Sequence, residues 1–267
     1  MKIVSIVFLL VALEYGFCVI IKTRRQHPKE SSSVEYFTKP NQNPTIKVLI
    51  HIDNVLAKKL AAEFDTRARK KIKIRMNYLV KDVERIINGI NLSQKFTIKL
   101  IDTKFLKNKS SIVEMDENAS NYLRSYCAWQ SQKKRNQWFY SVLLTGLDLY
   151  YVNGNGQKER RSTGRGYMNG MCSIRNSCTL LEVLEWRPEI TSYLLAHEIA
   201  HSLGVPHDGP PYNECRARGH MMGARYSATS YPKHWSDCSR RSMKKRLTSK
   251  KTWCLRSDVN NYHSVGY

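Results

Sequence analysis

The alternation of apolar and polar positions predicts where the strands of this chain lie. Ile46, Val48, Ile50 and Ile52 recur with a period of two and alternate with Lys47 and His51, which indicates a strand with one buried face. The same alternation continues over residues 95–105. Residues 138–151 are rich in β-branched and aromatic side chains, and a further apolar run covers 177–186. These patterns predict four strands, with a Gly/Asn loop after the third.

Helical spacing predicts the segments that connect these strands. A short helix capped by Asp53 or Asn54 is expected to run through Phe64, and a longer one from Thr66 to Asn88. A third helix is predicted over 114–133, and a fourth begins at Pro188, which suits a first helical turn, and runs to Leu203. The order β-α-β-α-β-β-α is typical of the α/β class.

The first 44 residues do not fit this pattern. Residues 1–18 combine an early lysine, an apolar run and small residues near the end, which is the layout of a secretory signal peptide cleaved after Cys18. An N-terminal strand or a membrane stub is the alternative. Residues 19–44 are polar and aperiodic, as in a linker or a short pro-segment. We therefore expect a secreted, extracellular protein.

The cysteine count agrees with export. Removing residues 1–18 leaves six cysteines, which predicts three disulfides among 15 possible connectivities. They are Cys127, Cys172, Cys178, Cys215, Cys238 and Cys254. Glycosylation sequons begin at Asn91, Asn108 and Asn118, and they also fit an extracellular glycoprotein.

The net charge of +22 favours anionic partners, such as anionic glycans or acidic membrane surfaces. Nucleic acid fits a secreted disulfide protein poorly, so we expect no nucleic-acid partner. The most basic stretch is 240–251, in which seven of twelve residues are Lys or Arg. A solvated surface without a dedicated partner is an equal alternative.

The stretch HEIAHSLGVPHD, from His197 to Asp208, carries the chemistry. His197 and His201 are four residues apart and share one helix face, and Gly204 permits the turn that returns His207 to them. Three imidazoles can bind one Zn²⁺ and leave a fourth position open for catalysis. Glu198 lies one step round the helix, where it can act on a water without binding the metal. Three ordinary buried histidines are the alternative.

The H-E-x-x-H-x-x-G-x-x-H pattern resembles the zinc motif of the metzincin metalloproteases, and Asp208 resembles their adamalysin (reprolysin) branch. The resemblance implies a metzincin catalytic domain over 45–256, followed by a tail at 257–267. Its fold would be a mixed twisted sheet, an active-site helix and a small, irregular, disulfide-linked C-terminal subdomain. Short venom or salivary proteases of arthropods are the members that the chain resembles.

The resemblance also implies roles for individual residues. Met222 would form the Met-turn beneath the zinc, and Leu143, Leu144, Thr145 and Gly146 would form the edge strand that holds substrate. A side-chain pocket is expected near Arg225 to Thr229. The implied disulfides are Cys127–Cys238, Cys172–Cys178 and Cys215–Cys254. The position aligned with a calcium-binding glutamate carries Lys47, which argues against Ca²⁺.

We interpret the chain as a secreted, monomeric zinc endopeptidase that hydrolyses peptide bonds of extracellular or host proteins, with Glu198 as general base and acid. A venom or salivary role is expected from the resemblance. The alternative is a basic, non-catalytic protein that uses a metzincin fold and segment 240–251 to bind a glycan or membrane surface.

Overall fold

The structure is a computed structural model that describes residues 43–64, 66–106, 113–133, 138–160, 164–225, 231–232 and 234–256. The predicted signal peptide, the linker up to residue 42, the tail at 257–267 and the sequon at Asn108 lie outside the described residues. Within the described part, no helix combines the length and apolarity needed to cross a membrane.

A five-stranded sheet forms the centre of the protein, and its strands are β1 Thr45–Ile52, β2 Thr97–Phe105, β3 Tyr140–Thr145, β6 Gly164–Gly166 and β7 Cys178–Glu182. Their order across the sheet is β2-β1-β3-β7-β6. The four strands β1, β2, β3 and β7 run parallel, and β6 pairs antiparallel with β7. A separate antiparallel pair joins β4, Tyr151–Val152, to β5, Lys158–Glu159. The predicted α/β class with a mixed sheet is confirmed.

Helices cover both faces of the sheet. These helices are α1 Asn54–Ala62, α2 Ala68–Asn88, α3 Ala119–Lys133 and α4 Pro188–Ser202. Apolar residues of β1, β3 and β7 such as Ile50, Val142 and Leu181 share one core with α1, α2 and α4. Leu143 and Leu180 point to the other face, where Tyr122 and Tyr126 of α3 cover them. Because alternate residues of β3 serve opposite faces, all six of its residues are buried.

Asp53 explains why the third predicted strand is shorter than expected. Its carboxylate caps α1 by accepting from Leu56 N at 2.8 Å, and it also accepts from the Thr145 hydroxyl at 2.5 Å and from Gly146 N at 3.3 Å. The hydrogen bonds from Thr145 and Gly146 hold the chain at the end of β3, so the predicted strand 138–151 divides into β3 and β4.

The C-terminal part contains elements that the apolar spacing did not predict. Helix α5 covers Asp237–Leu247 and begins at Ser236, whose hydroxyl accepts from Ser239 N at 3.0 Å. A 3₁₀ helix follows at Lys250–Leu255. Segment 240–251 therefore lies mostly on α5, and its cations are carried by a helix with a narrow apolar face.

The three predicted disulfide pairings are wrong. The structure pairs Cys127 with Cys178, Cys172 with Cys254, and Cys215 with Cys238. Helix α3 packs against β7, which places Cys127 beside Cys178 rather than beside Cys238. Cys172 and Cys178 are close in sequence, but Cys178 begins a central strand while Cys172 faces the C-terminal 3₁₀ helix. Six cysteines do form three bonds, as their number predicts.

Candidate metal centre

Helix α4 carries one half of the candidate metal centre, namely His197, Glu198 and His201. Pro188 occupies its first turn, and every residue from Ile190 to Ser202 is buried between the sheet and neighbouring helices. The helix therefore has no polar outer face. Buried polar residues here must have a partner or a function, and His197, Glu198 and His201 are only 7%, 3% and 2% exposed.

The irregular segment, which we define as the described residues 204–225, 231–232 and 234–235, carries the other half. Gly204 adopts φ +84°, and Val205 N then donates to Ala200 O at 2.9 Å. This turn reverses the chain and returns His207 to the helix, as the sequence predicts.

The three imidazoles converge through one nitrogen each. His207 Nε2 lies 3.3 Å from His197 Nε2 and 3.1 Å from His201 Nε2. His197 Nδ1 lies 2.7 Å from the Met221 carbonyl, and His201 Nδ1 lies 2.8 Å from the Val205 carbonyl. Since a carbonyl only accepts, both Nδ1 atoms carry the proton and both Nε2 atoms present a lone pair to the centre.

This donor set fits zinc. Burial lowers the pKa of His197 to about 4 and that of His207 to about 3, so the rings are neutral at pH 7. Converging lone pairs repel one another unless a cation lies between them. Nitrogens at 2.0–2.1 Å from a tetrahedral zinc would lie about 3.4 Å apart, close to the separations observed.

Glu198 lies next to the three histidines without joining them. Burial raises the pKa of its carboxyl group to about 8, while the positive charge of Arg165 and the backbone hydrogen bond from Gly166 act in the opposite direction. Its Oε2 has no hydrogen-bond partner among the described residues. A Cβ added at Gly164 would lie 2.9 Å from Glu198 Oε1, so β6 approaches this carboxylate as closely as a glycine allows.

The predicted edge strand is wrong. Leu143 in β3 pairs with His51 of β1 on one side and with Leu180 of β7 on the other, so residues 143–146 do not lie on a strand with a free edge. The sheet ends instead at β6, which is antiparallel and lies against α4 beside Glu198. The apolar run of β3 is typical of a fully buried parallel strand, and three residues such as Gly-Arg-Gly give almost no strand signal.

Met221 and Met222 lie under the site as a buried pair, 1% and 0% exposed. The backbone carbonyl of Met221 connects the irregular segment to helix α4, and that of Met222 connects two parts of the segment itself. Met221 O is the partner of His197 Nδ1, and Met222 O accepts from Asp208 N at 2.8 Å. The assignment of Met222 as the Met-turn residue stays a prediction.

The sequence did not reveal how the irregular segment is held. Asp208 accepts from the hydroxyl of Ser236 at 2.6 Å and from that of Ser239 at 3.3 Å, both at the start of α5. The Cys215–Cys238 bond closes the same region. These contacts anchor the residue that follows His207 to α5, and their partners are too far apart in sequence for any local pattern to reveal them.

Arg165 is a second feature that sequence reasoning missed. It is 1% exposed, and none of its side-chain nitrogens has a hydrogen-bond partner among the described residues. Its neighbours Gly164 and Gly166 approach Glu198, so alternation along β6 turns Arg165 to the opposite face. A buried cation therefore lies across the edge strand from the general-base candidate.

Residues 50–258 match the family described as "Reprolysin (M12B) family zinc metalloprotease". The chain belongs to this reprolysin family. A similar protein is "A disintegrin and metalloproteinase with thrombospondin motifs 18" of Mus musculus, which is 30% identical over 178 residues. Another is "A disintegrin and metalloproteinase with thrombospondin motifs 13" of Homo sapiens, which is 28% identical over 176 residues. These matches cover 65% and 64% of this chain.

"Zinc metalloproteinase-disintegrin-like BmMP" of Bungarus multicinctus is 26% identical over 236 residues, which cover 85% of this chain. The matches span only 14%, 12% and 35% of the three relatives. The reprolysin family implies zinc, and the group formed by His197, His201 and His207 fits a zinc site.

Proposed function

We propose that this reprolysin is a secreted zinc endopeptidase that hydrolyses peptide bonds of extracellular or host proteins. The observation that carries the proposal is the convergence of three Nε2 atoms, two of which have their tautomer set by a backbone carbonyl, beside a buried glutamate that does not join them. A structural zinc site would be closed by a fourth protein ligand, whereas three ligands leave a position for chemistry.

The chain's own residues have separate roles in this proposal. When bound, zinc supplies a Lewis acid that polarises the scissile carbonyl and activates water. Glu198 accepts the proton of the attacking water and then donates it to the leaving nitrogen, which makes one residue both general base and general acid. The pKa of Glu198, which burial raises, would be lowered by the positive charge of zinc, and this favours the carboxylate form that the base role needs.

Substrate would bind along β6. One side of this strand pairs with β7, and no described strand pairs with its other side. An extended peptide added there would be held by main-chain hydrogen bonds, which tolerate many sequences. Side-chain preference would come from the pocket near Arg225 to Thr229, most of which lies outside the described residues.

Secretion is supported by the signal-like residues 1–18 and by three disulfides, which persist in oxidising compartments. We propose a monomer that binds zinc and no calcium, since Lys47 occupies the aligned position on β1. A venom or salivary role rests on the resemblance to short arthropod proteases.

The test is cleavage of an unfolded protein substrate by the mature chain, with and without a zinc chelator. We expect chelator-sensitive cleavage, and Glu198→Ala should lower it by about 10²–10⁴-fold, the range for general acid–base catalysis. The control is Glu189→Ala, which removes an exposed glutamate from the first turn of the same helix and should leave cleavage unchanged.

Cleavage that survives in Glu198→Ala would contradict its assigned role. One bound zinc per chain without any cleavage would favour the alternative, a non-catalytic protein that binds a glycan or membrane surface through segment 240–251. The exposed cations Lys244 and Lys245 on α5 are the observation that keeps this alternative open.

A further inference from the structure

A second cleft lies at the opposite edge of the sheet from the metal centre. It opens where β1 and β2 end and α1 begins, and it has a volume of about 600 Å³. Strand β2 is the last strand on that side, with β1, β3 and β7 between it and β6. Ligands of parallel α/β sheets commonly bind outside the carboxyl ends of the strands, and this volume is within the usual range for ligand pockets. We call this the strand-end cleft.

The strand-end cleft has an excess of positive charge. Arg69, Lys73 and Lys104 line it together with one acid, Asp102. Lys73 Nζ lies 2.8 Å from Asp102 Oδ1, so this pair neutralises itself. Arg69 and Lys104 have no ion pair or hydrogen bond within the described part of the chain. The guanidinium of Arg69 lies over the Phe105 ring at 5.2 Å, which holds it at the cleft wall. Two cations are thus available to an anion.

The cleft is also lined by buried polar atoms that lack a partner. Thr103 is 2% exposed, and neither its hydroxyl nor Asn54 Oδ1 has a hydrogen-bond partner among the residues that the structure describes. Buried polar groups in native proteins are nearly always hydrogen-bonded. Two such groups on one cleft indicate a ligand that bonds them.

Together these groups define the chemistry of the ligand. Two cations recognise sulfate or carboxylate oxygens. Asn54 Oδ1 needs a donor, which a fully ionised inorganic anion lacks and a sugar hydroxyl provides. The Thr103 hydroxyl can both donate to and accept from such a group. We propose that the strand-end cleft binds a sulfated oligosaccharide, with sulfate on Arg69 and Lys104 and a sugar hydroxyl on Thr103 and Asn54.

The C-terminal cleft, lined by Arg240, Lys244 and Arg256, is the competing basic site, with a volume of about 520 Å³. Its arginines already have partners. Arg240 Nε donates to Ile90 O at 3.0 Å, and Arg256 Nη2 donates to Gln94 Oε1 at 3.2 Å. These bonds fasten α5 and the 3₁₀ helix to the loop after α2. The arginines of the C-terminal cleft are therefore not available to a ligand, and charge removal on α5 is the matched control for glycan binding.

The experiment is titration calorimetry of the full chain with a heparin hexasaccharide at fixed salt. We expect Arg69→Ser/Lys104→Ser to weaken binding by at least ~10-fold through lost charge-assisted hydrogen bonds. Lys244→Ser/Lys245→Ser removes the same charge from α5 and should stay within about 3-fold of the parent, the scale of long-range charge loss. Thr103→Val changes no charge and should weaken binding about 3- to 10-fold, while Thr103→Ser retains it.

Each of the following results would overturn the proposal. Equal loss in both double variants would mean non-specific attraction to the net charge. Unchanged binding in Thr103→Val, or equal affinity for inorganic sulfate, would mean that no sugar is recognised. Preference for a single-stranded oligonucleotide or for acidic phospholipid vesicles over the hexasaccharide would assign the cleft to another partner. Glu198→Ala should bind the hexasaccharide normally, which separates this site from the proposed peptidase activity.

Discussion

The two halves of the metal centre are built by different means. Helix α4 places His197, Glu198 and His201 through helix periodicity alone, inside a core that buries every residue from 190 to 202. The irregular segment places His207 by one glycine turn, the Asp208 contacts to α5 and the Cys215–Cys238 bond. One half needs only local spacing, whereas the other needs partners that are distant in sequence.

This difference predicts which changes damage the metal site and which damage the fold. The helix shares its core with β1, β3 and β7, so disturbing the sheet lowers the stability of the whole domain. Among its described residues the irregular segment contributes only Val205, Met221, Met222 and Trp235 to the buried apolar core, so loosening it should affect zinc first.

The largest expected effect comes from removing the ligand of the irregular segment. His207→Ala should weaken zinc binding by more than about 100-fold, because even partners outside the ligand set contribute 10- to 100-fold. The fold should persist, since Asn213 Nδ2 donates to the backbone carbonyl of residue 207 at 3.0 Å and not to its ring.

Zinc affinity measured by chelator competition, with circular dichroism as the readout of folding, checks this. His234→Ala removes an exposed histidine of the same segment and should change neither quantity. If His207→Ala kept parental zinc affinity, the three-histidine site would be wrong.

Two disulfides offer a sharper contrast, because one joins the irregular segment to α5 and the other joins α3 to β7. Cys215→Ser/Cys238→Ser opens a bond with a sequence separation of 23 residues, and Cys127→Ser/Cys178→Ser opens one of 51. Loop entropy predicts losses of about 3 and about 4 kcal/mol in the free energy of unfolding. Only the first double variant should also weaken zinc binding, because only that bond anchors the segment that carries His207.

Unfolding of the chelated proteins by denaturant gives the stabilities without the contribution of bound metal. A comparable loss of zinc affinity in both variants would show that the halves are not independent.

The same contrast explains what the sequence could predict. Three ligands and Glu198 were predictable because residues 197–207 form one continuous motif whose spacing is fixed by a helix and a turn. The α/β class was predictable from apolar periods along β1, β2 and α2. The reprolysin match over residues 50–258 agrees with both.

What failed depends on contacts between distant residues. Packing determines the disulfide partners, the identity of the edge strand and the start of α5 at Ser236. The number and spacing of six cysteines do not determine how they pair. Residues 143–146 look like any apolar strand, and only their pairing on both sides reveals that they are central. Cys172 and Cys178 show the same limit, because proximity in sequence did not make them partners.

The assignment of β6 as the edge strand gives a prediction about Glu198 on helix α4, because the change is made on the strand along which substrate would bind. Gly164→Ala would place a Cβ 2.9 Å from Glu198 Oε1 and 3.0 Å from Leu181 Cδ1. We expect a displaced carboxylate and a loss of about 10- to 100-fold in kcat, since displacements near 1 Å cost this much in positioned active sites.

Zinc content should stay at one per chain, because no ligand is touched. Gly154→Ala is the control, since a Cβ there meets no atom within 4 Å. Unchanged kcat in Gly164→Ala would indicate that β6 does not position Glu198.

The smallest expected effect is confined to the sheet. Glu182 ends β7, where Leu149 N donates to its Oε2 at 2.5 Å, and burial raises the pKa of its carboxyl from 4.5 to about 7. Between these two values the folded protein binds more protons than the unfolded chain, so stability falls as pH rises through the window. The full shift would correspond to about 3 kcal/mol, which partial exposure of the group reduces to about 1 kcal/mol.

Glu182→Gln stays neutral and can still accept from Leu149 N, so its stability should not show this fall. The measurement is denaturant unfolding of the chelated proteins from pH 5 to pH 8, taken as the difference between parent and variant so that titrating histidines cancel. Glu185→Gln, an exposed neighbour, should follow the parent. Parallel curves for Glu182→Gln and the parent would refute the assignment. A pH-dependent difference between the chelated proteins, together with equal zinc affinity of parent and variant in chelator competition, would show that the sheet can be weakened while the metal centre stays intact.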